Sequence, residues 1–358
     1  MKFILTFVLT FLLSEIFAQT IVDTLPLSHY KPKSIYKTPK ANITKAAFPV
    51  IDMHSHNYAE LQKNVDDWVK MMDRFNIEKT MILTMKSGKG FDSLVEKYKK
   101  YPTRFELWCG FDYTGYELPG WQQHAVAELE RCYKAGAKGV GELGDKGEGE
   151  IYSKPTPGLG LHIDDPKIKP LIEKCGILHM PISIHVAEDE WMYEKPDSTN
   201  DGLVNAVKWH VDMNNPNKLG HDELIKSLEN AVRDNPKTIF IACHLANTCS
   251  NLQQLGDLLD KYPNLYADIA ARFGEIAPVP RYTAAFIIKY QDRLLYGTDN
   301  SPAKNMYLTT FRILESADEH FYEPETFNYQ WALYGLNLPK VVLEKLYRKN
   351  AEKIMNHK

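Results

Sequence analysis

The chain has 358 residues, enough for one large domain or two ordinary ones, and its 44% apolar and 25% charged content is that of a soluble globular protein. A formal net charge of −3 supplies no basic field, which excludes nucleic acid as the expected partner. The five cysteines (Cys109, Cys132, Cys175, Cys243 and Cys249) show neither a zinc-cluster spacing nor a dense disulfide scaffold; a Cys243–Cys249 pair is conceivable, and buried free thiols are the expectation.

The chain opens with Lys2, an apolar run from Phe3 to Leu13, and Ala18 before Gln19. This reads as a secretory signal peptide over residues 1–18, cut after Ala18. The run is short for a bilayer span, so an exported protein, periplasmic or secreted, is expected, with no membrane insertion after cleavage. Residues 19–47 are polar and carry Pro26, Pro32 and Pro39, which predicts an extended lead-in over the surface.

From Phe48 to the end of the chain, strand-like and helix-like stretches alternate. The first strand is Val50 to His54, followed by helical spacing through Val65, Trp68, Met71, Met72 and Phe75. Strand two is Thr80 to Thr84, with a helix over Phe91 to Tyr98. Strand three is Phe105 to Phe111, with a helix near Gln122 to Ala135. Strand four, Gly139 to Glu142, leads into a Gly-rich loop, Gly144 to Gly149, and then a helix around Pro170 to Cys175. Strand five is Pro181 to His185. A polar insertion at about 188–219 interrupts the rhythm, and a helix from His221 to Asn235 resumes it. Strand six is Thr238 to His244, with a helix over Leu252 to Tyr262. Strand seven is Leu265 to Ile269, with a helix near Thr283 to Tyr290. Strand eight is Arg293 to Asp299, and the closing helices include Lys340 to Tyr347 and Asn350 to Met355. Eight such units predict an α/β fold of the (β/α)8 TIM-barrel type. A doubly wound sheet is the alternative, and the lack of Gly-x-Gly-x-x-Gly after the first strand argues against its dinucleotide-binding form.

His54 and His56 are two apart at the end of strand one, where residues i and i+2 share a face. Glu142, His185, His244 and Asp299 fall at the carboxyl ends of strands four, five, six and eight. In a barrel those ends surround one mouth, so metal-competent groups converge there. Arg272, after strand seven, is a candidate clamp for a substrate carboxylate, against an ion-paired arginine as the alternative. Lys146, in the loop after strand four, is a candidate anion contact, against a plain flexible loop. The insertion with Trp191, Met192 and Tyr193 predicts a lid with aromatic walls, against a surface insertion packed on the barrel. Asp52 and Asp268 lie inside strands and are expected to support the site from behind.

The order His-x-His, strand-four acid, His, His, Asp resembles the amidohydrolase superfamily. The closing segment, Tyr334-Gly-Leu-Asn-Leu-Pro339 leading to Lys349-Asn-Ala-Glu-Lys-Ile-Met355, is similar to the end of its amidohydrolase-related branch. The resemblance implies His54, His56, His185 and Asp299 as metal ligands, Asp299 also as proton acceptor, and His244 as a ligand or a polariser of the substrate oxygen. Gly141-Glu142-Leu143-Gly144 resembles the TatD-type hydrolases, whose strand-four glutamate bridges two metals. Many amidohydrolase-related members hold one, so one or two ions are both open. Zn2+ is the expected metal, with Mn2+ or Fe2+ as alternatives. The implied function is an exported metal-dependent hydrolase that sets an activated water on an ester, lactone or amide carbon of a small molecule. The alternatives are a metal-dependent decarboxylase of an aromatic or unsaturated acid, a phosphoesterase, and a non-catalytic ligand-binding barrel. A homodimer is compatible with the branch.

Overall fold

The computed structural model describes residues 21–144, 146–148, 159–214, 218–327 and 329–357. The predicted signal segment and most of the loop after strand four lie outside the described residues. Eight parallel strands form the centre: β1 (Val50–Ser55), β2 (Ile77–Leu83), β3 (Phe105–Trp108), β4 (Val140–Leu143), β5 (Ile182–Ile184), β6 (Phe240–Ala242), β7 (Leu265–Asp268) and β8 (Leu294–Leu295). Ladders link β1 to β3 in one arc and β4 to β8 in another. The first seam between the arcs closes where Cys109 N donates to Gly139 O (3.0 Å) and Gly141 N to Cys109 O (2.8 Å). The second closes where Met53 N donates to Tyr296 O (2.9 Å), and Thr298 N (3.1 Å) and Asp299 N (2.8 Å) donate to His54 O. The result is the expected TIM barrel, with every strand starting or ending within a few residues of its predicted place.

The helix Gln62–Phe75 shows why the intervening segments coil. It buries Val65, Trp68, Val69, Met72 and Phe75 along one stripe, and it stops at Asn76, which adopts φ 66° and donates its N–H to Met72 O. Two apolar layers result. One fills the space between strands and helices. The other fills the barrel with Ile51, Met53, Met81, Leu83, Trp108, Ile241, Tyr266 and Leu295, closed by Ala351 and Ile354 of the last helix. That helix includes a π-helical turn at Lys345–Lys349, and its Leu346 carbonyl accepts the Tyr296 N–H at 2.9 Å. Asn350 Nδ2 donates to Gln291 O (2.7 Å) and Leu294 O (2.8 Å), so the last helix sits under the starts of the strands. His179 is at this end too, its ring 6.1 Å from that of His357.

The loop after β4 departs from expectation. Lys146–Glu148 pairs antiparallel with Leu159–His162 as a hairpin, anchored by buried Leu161 and Ile163 just where the chain returns. A helix that the sequence reading passed over, Lys304–Glu315, buries Met306, Tyr307, Thr309, Thr310, Phe311, Ile313 and Leu314 and leaves Lys304, Asn305, Leu308, Arg312 and Glu315 on the other face; Thr309 and Thr310 on the buried side and Leu308 on the open one blur its period. The insertion after β5 holds a 3-10 turn, Glu190–Met192, and a short helix, Leu203–Trp209. The lead-in lies along the 315–325 segment, with Ala47 N donating to Glu315 (3.0 Å), Ala41 N to Asp318 (2.8 Å) and Lys31 to Glu325 (2.9 Å). All five cysteines are buried free thiols. Among the described residues no helix is long and apolar enough to cross a membrane.

Candidate metal centre

The six residues expected to converge do so. His54 lies in β1, with His56 just past its end, Glu142 lies in β4, and His185, His244 and Asp299 follow β5, β6 and β8. All but His56 and Asp299 are buried. Each imidazole is oriented from behind. His54 Nδ1 lies 2.9 Å from Asp268 Oδ2, His56 Nδ1 lies 2.8 Å from Leu83 O, and His244 Nδ1 lies 2.8 Å from Ala270 O. A carboxylate or carbonyl only accepts, so these nitrogens donate and the three Nε2 lone pairs face the mouth. His185 is turned the other way, with Nε2 3.2 Å from Glu188 Oε2 and Nδ1 toward the centre.

The lone pairs meet carboxylates. Glu142 Oε1 lies 3.0 Å from His185 Nδ1 and 3.1 Å from His244 Nε2, while Oε2 lies 3.3 Å from His56 Nε2 and 3.7 Å from His54 Nε2. Asp299 Oδ1 is 3.1 Å from His56 Nε2, and Tyr58 donates its hydroxyl to the same oxygen at 3.1 Å. Lone pairs facing anions repel unless a proton or a cation stands between them. In this structure the carboxylates favour a proton on His56, whereas burial and the field of His185 hold His244 below its usual range. Burial disfavours charge on His56, yet its hydrogen bonds to Asp299 and Glu142 and their fields lift its imidazole to about 9. Burial likewise works against the Glu142 carboxylate, and the field of His54 with hydrogen bonds from His185 and His244 holds it well below the usual range. His54 Nε2 is buried without a hydrogen-bond partner. Groups of three, with ligand atoms within 4.8 Å of one another, form around His54, His56 and Glu142, around His54, His244 and Asp299, and around Glu142, His185 and His244. Such a set of imidazoles and carboxylates fits divalent cations.

The turn that presents His244 is strained. His244, Leu245, Ala246 and Asn247 all have φ between 53° and 59°, a left-handed run that costs roughly 1–2 kcal/mol per residue for side chains with a Cβ. The surroundings hold it. Asp268 Oδ1 accepts the His244 N–H (2.9 Å), Thr248 Oγ1 donates to Leu245 O (2.9 Å), and Asn247 donates to Ala187 O while accepting from Arg272 Nε (2.9 Å).

The three residues expected to contact substrate are each engaged by other side chains. Arg272 is no open clamp: it is buried, and Nη1 lies 3.1 Å from both Asp189 Oδ2 and Glu275 Oε1, the ion-paired alternative. Lys146 is buried with its ammonium on Glu188, within the hairpin rather than a plain loop. Trp191 packs edge-on to Tyr329 at 6.4 Å between ring centres and lies over Gly202, where an added Cβ would stand 2.2 Å from its ring. Tyr193, not Trp191, reaches the site's margin, its hydroxyl accepting the Glu188 N–H at 3.1 Å. Two supporting residues escaped the sequence reading, Glu188 and Tyr58. Their spacings, His185-Val-Ala-Glu188 and His56-Asn-Tyr58, are the only local signal for them.

A parallel eight-stranded barrel with imidazoles and carboxylates gathered at the carboxyl ends of its strands defines a metal-dependent TIM-barrel enzyme. The amidohydrolase family model matches residues 115–356, and the chain belongs to that family. No curated protein matches significantly. Among solved structures, 2,6-dihydroxybenzoate decarboxylase from Rhizobium is similar in fold, at 16% identity and a TM-score of 0.54 over 86% of this chain and 98% of that one. A dihydroxybenzoic acid decarboxylase from a Polaromonas species, with bound manganese and the inhibitor 2-nitroresorcinol, matches at 15% identity and 0.54 over 86% and 97%. The 5-carboxyvanillate decarboxylase from Novosphingobium aromaticivorans, complexed with manganese and a nitrobenzoic acid, matches at 12% identity and 0.52 over 89% and 99%.

Proposed function

We propose that this protein is an exported enzyme in which Glu142 with His54 and His56, and Glu142 with His185 and His244, would hold two divalent ions, and that it hydrolyses an ester, lactone or amide bond of a small organic molecule. The observation that supports this reading is the division of donors by one carboxylate. Glu142 Oε1 faces His185 and His244, and Oε2 faces His54 and His56. When bound, the ions supply an acidified water and a polarised substrate oxygen. The residues supply the rest. Asp299 is the proton acceptor: burial opposes its charge, but the field of His54 and the hydrogen bond from His56 keep the carboxylate ionised. Tyr58 aims Asp299, and Asp268 and Glu188 hold the imidazoles of His54 and His185 in their ligating orientation. Zinc suits this donor set, and the manganese held by two similar barrels supports that ion as well.

A second reading, decarboxylation of an aromatic carboxylic acid, is favoured by the comparisons, since the three similar barrels are decarboxylases of such acids. In it the carbon that loses CO2 takes up one proton in its place, and Asp299, after accepting that proton from water, is the group placed to deliver it. The deciding experiment is elemental analysis of the protein lacking residues 1–18 beside Glu142→Ala, followed by assays with aryl esters, lactones and hydroxybenzoates. Two ions in the parent, about one in the variant, and acid release without CO2 support hydrolysis. One ion in both, with CO2 release, moves the assignment to the decarboxylase. No metal in either, after addition of zinc and manganese, overturns both. Export is tested by sequencing the amino terminus of the protein from its native cells. A start at Gln19 supports it, and an intact Met1 overturns it.

A further inference from the structure

We infer that the barrel mouth carries a second binding position, a cationic subsite that takes a carboxylate group of the substrate remote from the reacting carbon. A cavity of about 250 Å³ opens beside Glu188, lined by Lys146, Lys208, Lys218, Tyr193 and Trp209. Three lysines and one carboxylate line it; Lys146 holds Glu188, so Lys208 and Lys218 give the cavity a positive character that is local in a chain whose formal net charge is −3. The metal centre has the opposite character, with Glu142, Asp299 and Asp268 around its histidines. Glu188 belongs to both. One of its oxygens lies 3.2 Å from His185 Nε2, and the other holds the Lys146 ammonium. The cavity is thus a single residue away from a ligand of the proposed ions.

The depth of the position matters. Lys146 is 8% exposed, so its charge is felt through a medium less polar than water. Lys208 stands at the rim with Nζ 5.1 Å from the Trp209 ring centre, which steadies a long, flexible side chain. Tyr193 is tied to Glu188 through its hydroxyl, and Leu219 and Leu224 complete the wall with apolar surface. Small-molecule sites commonly combine apolar and aromatic walls with a few placed polar groups, and cationic groups over such walls suit an acid on a ring or short carbon chain. The inference deepens the proposed function, and it rests on that reading for the reacting end of the substrate: the substrate is at least a dianion or an acid-bearing ester, lactone, amide or aromatic acid.

The test is calorimetric titration of the metal-loaded protein with isophthalate against benzoate and glutarate against butyrate, in parent and in the double variant Lys208→Glu/Lys218→Glu. The diacids are expected to bind about tenfold or more tighter than the monoacids at about 0.05 M salt, with the gap narrowing at about 0.5 M. The double variant loses that advantage while its monoacid affinity and metal content stay at the parent's level. No advantage for either diacid, or an advantage that survives charge reversal, overturns the subsite. Metal analysis of the same samples separates the two ideas. Protein that holds metal without preferring diacids removes the subsite alone. Protein that holds no metal yet prefers diacids through these lysines keeps the subsite and removes the proposed function.

Discussion

Replacing Gly297 by alanine tests whether the seam between β8 and β1 sets the metal centre. A Cβ at Gly297 would stand 2.7 Å from His54 Cβ, 3.0 Å from Ala270 Cβ and 3.3 Å from His54 N. Carbons rest at about 3.5–4.0 Å, so His54 must retreat by roughly 0.8 Å or more. It cannot swing away freely, because Thr298 N and Asp299 N are both bonded to its carbonyl and Asp268 holds its ring. Overpacking of this kind costs about 1–3 kcal/mol of stability. Ligand distances, however, tolerate only about 0.2 Å. Metal affinity is therefore expected to fall by about tenfold or more, out of proportion to a Tm loss of a few degrees. The assay is competition with a chromophoric chelator beside thermal unfolding. Gly139→Ala is the control: its Cβ would meet the Trp108 ring at 2.4 Å, inside the barrel, and is expected to lower Tm with little loss of metal affinity. Gly297→Ala that binds its ions as tightly as the parent would refute the reasoning.

Glu188→Ala removes the acceptor from His185 Nε2 and is expected to weaken metal binding by about 10–100-fold, measured by the same competition; unchanged affinity rules out an orienting role. Asp299→Asn keeps the shape that Tyr58 bonds and loses the proton acceptor, so kcat on a found substrate should fall by about 100-fold or more while calorimetric ligand affinity changes little; retained turnover assigns the proton transfer elsewhere. Arg272→Ala leaves Asp189 and Glu275 buried without their cation and should cost about 3–5 kcal/mol. Burial already pushes the Asp189 carboxyl up to about 7 against the field of Arg272, and loss of the arginine raises it further. A carboxyl whose folded value exceeds its unfolded one favours folding at low pH, and this contribution is lost as pH rises through the folded value. The variant should therefore lie closest to the parent near pH 5 and fall furthest behind above pH 7; a Tm gap that narrows as pH rises contradicts this account.

The sequence by itself determined the barrel and which residues gather at its mouth, because both are written in local spacing. Each strand is a short apolar run, and His54, Glu142, His185, His244 and Asp299 each mark the carboxyl end of one. Once eight such units close, their ends share one mouth, and the residues meet without further information. The tertiary structure decided what spacing does not encode. Which nitrogen of each histidine looks inward depends on acceptors such as Asp268, 214 positions from His54. That Glu142 divides its oxygens between two pairs of histidines depends on contacts such as the one with His244, 102 positions away. Arg272 was legible as a charge near the mouth, but its commitment to Asp189 and Glu275 follows from how two loops fold over each other. The helix Lys304–Glu315 was hidden for the reverse reason: tertiary packing buries the polar Thr309 and Thr310 and leaves Leu308 on the open face, which blurs the stripe that announces a helix. Periodicity reports which face of a segment avoids water. The direction of a lone pair, and the partner of a buried charge, are set by packing between segments far apart in the chain.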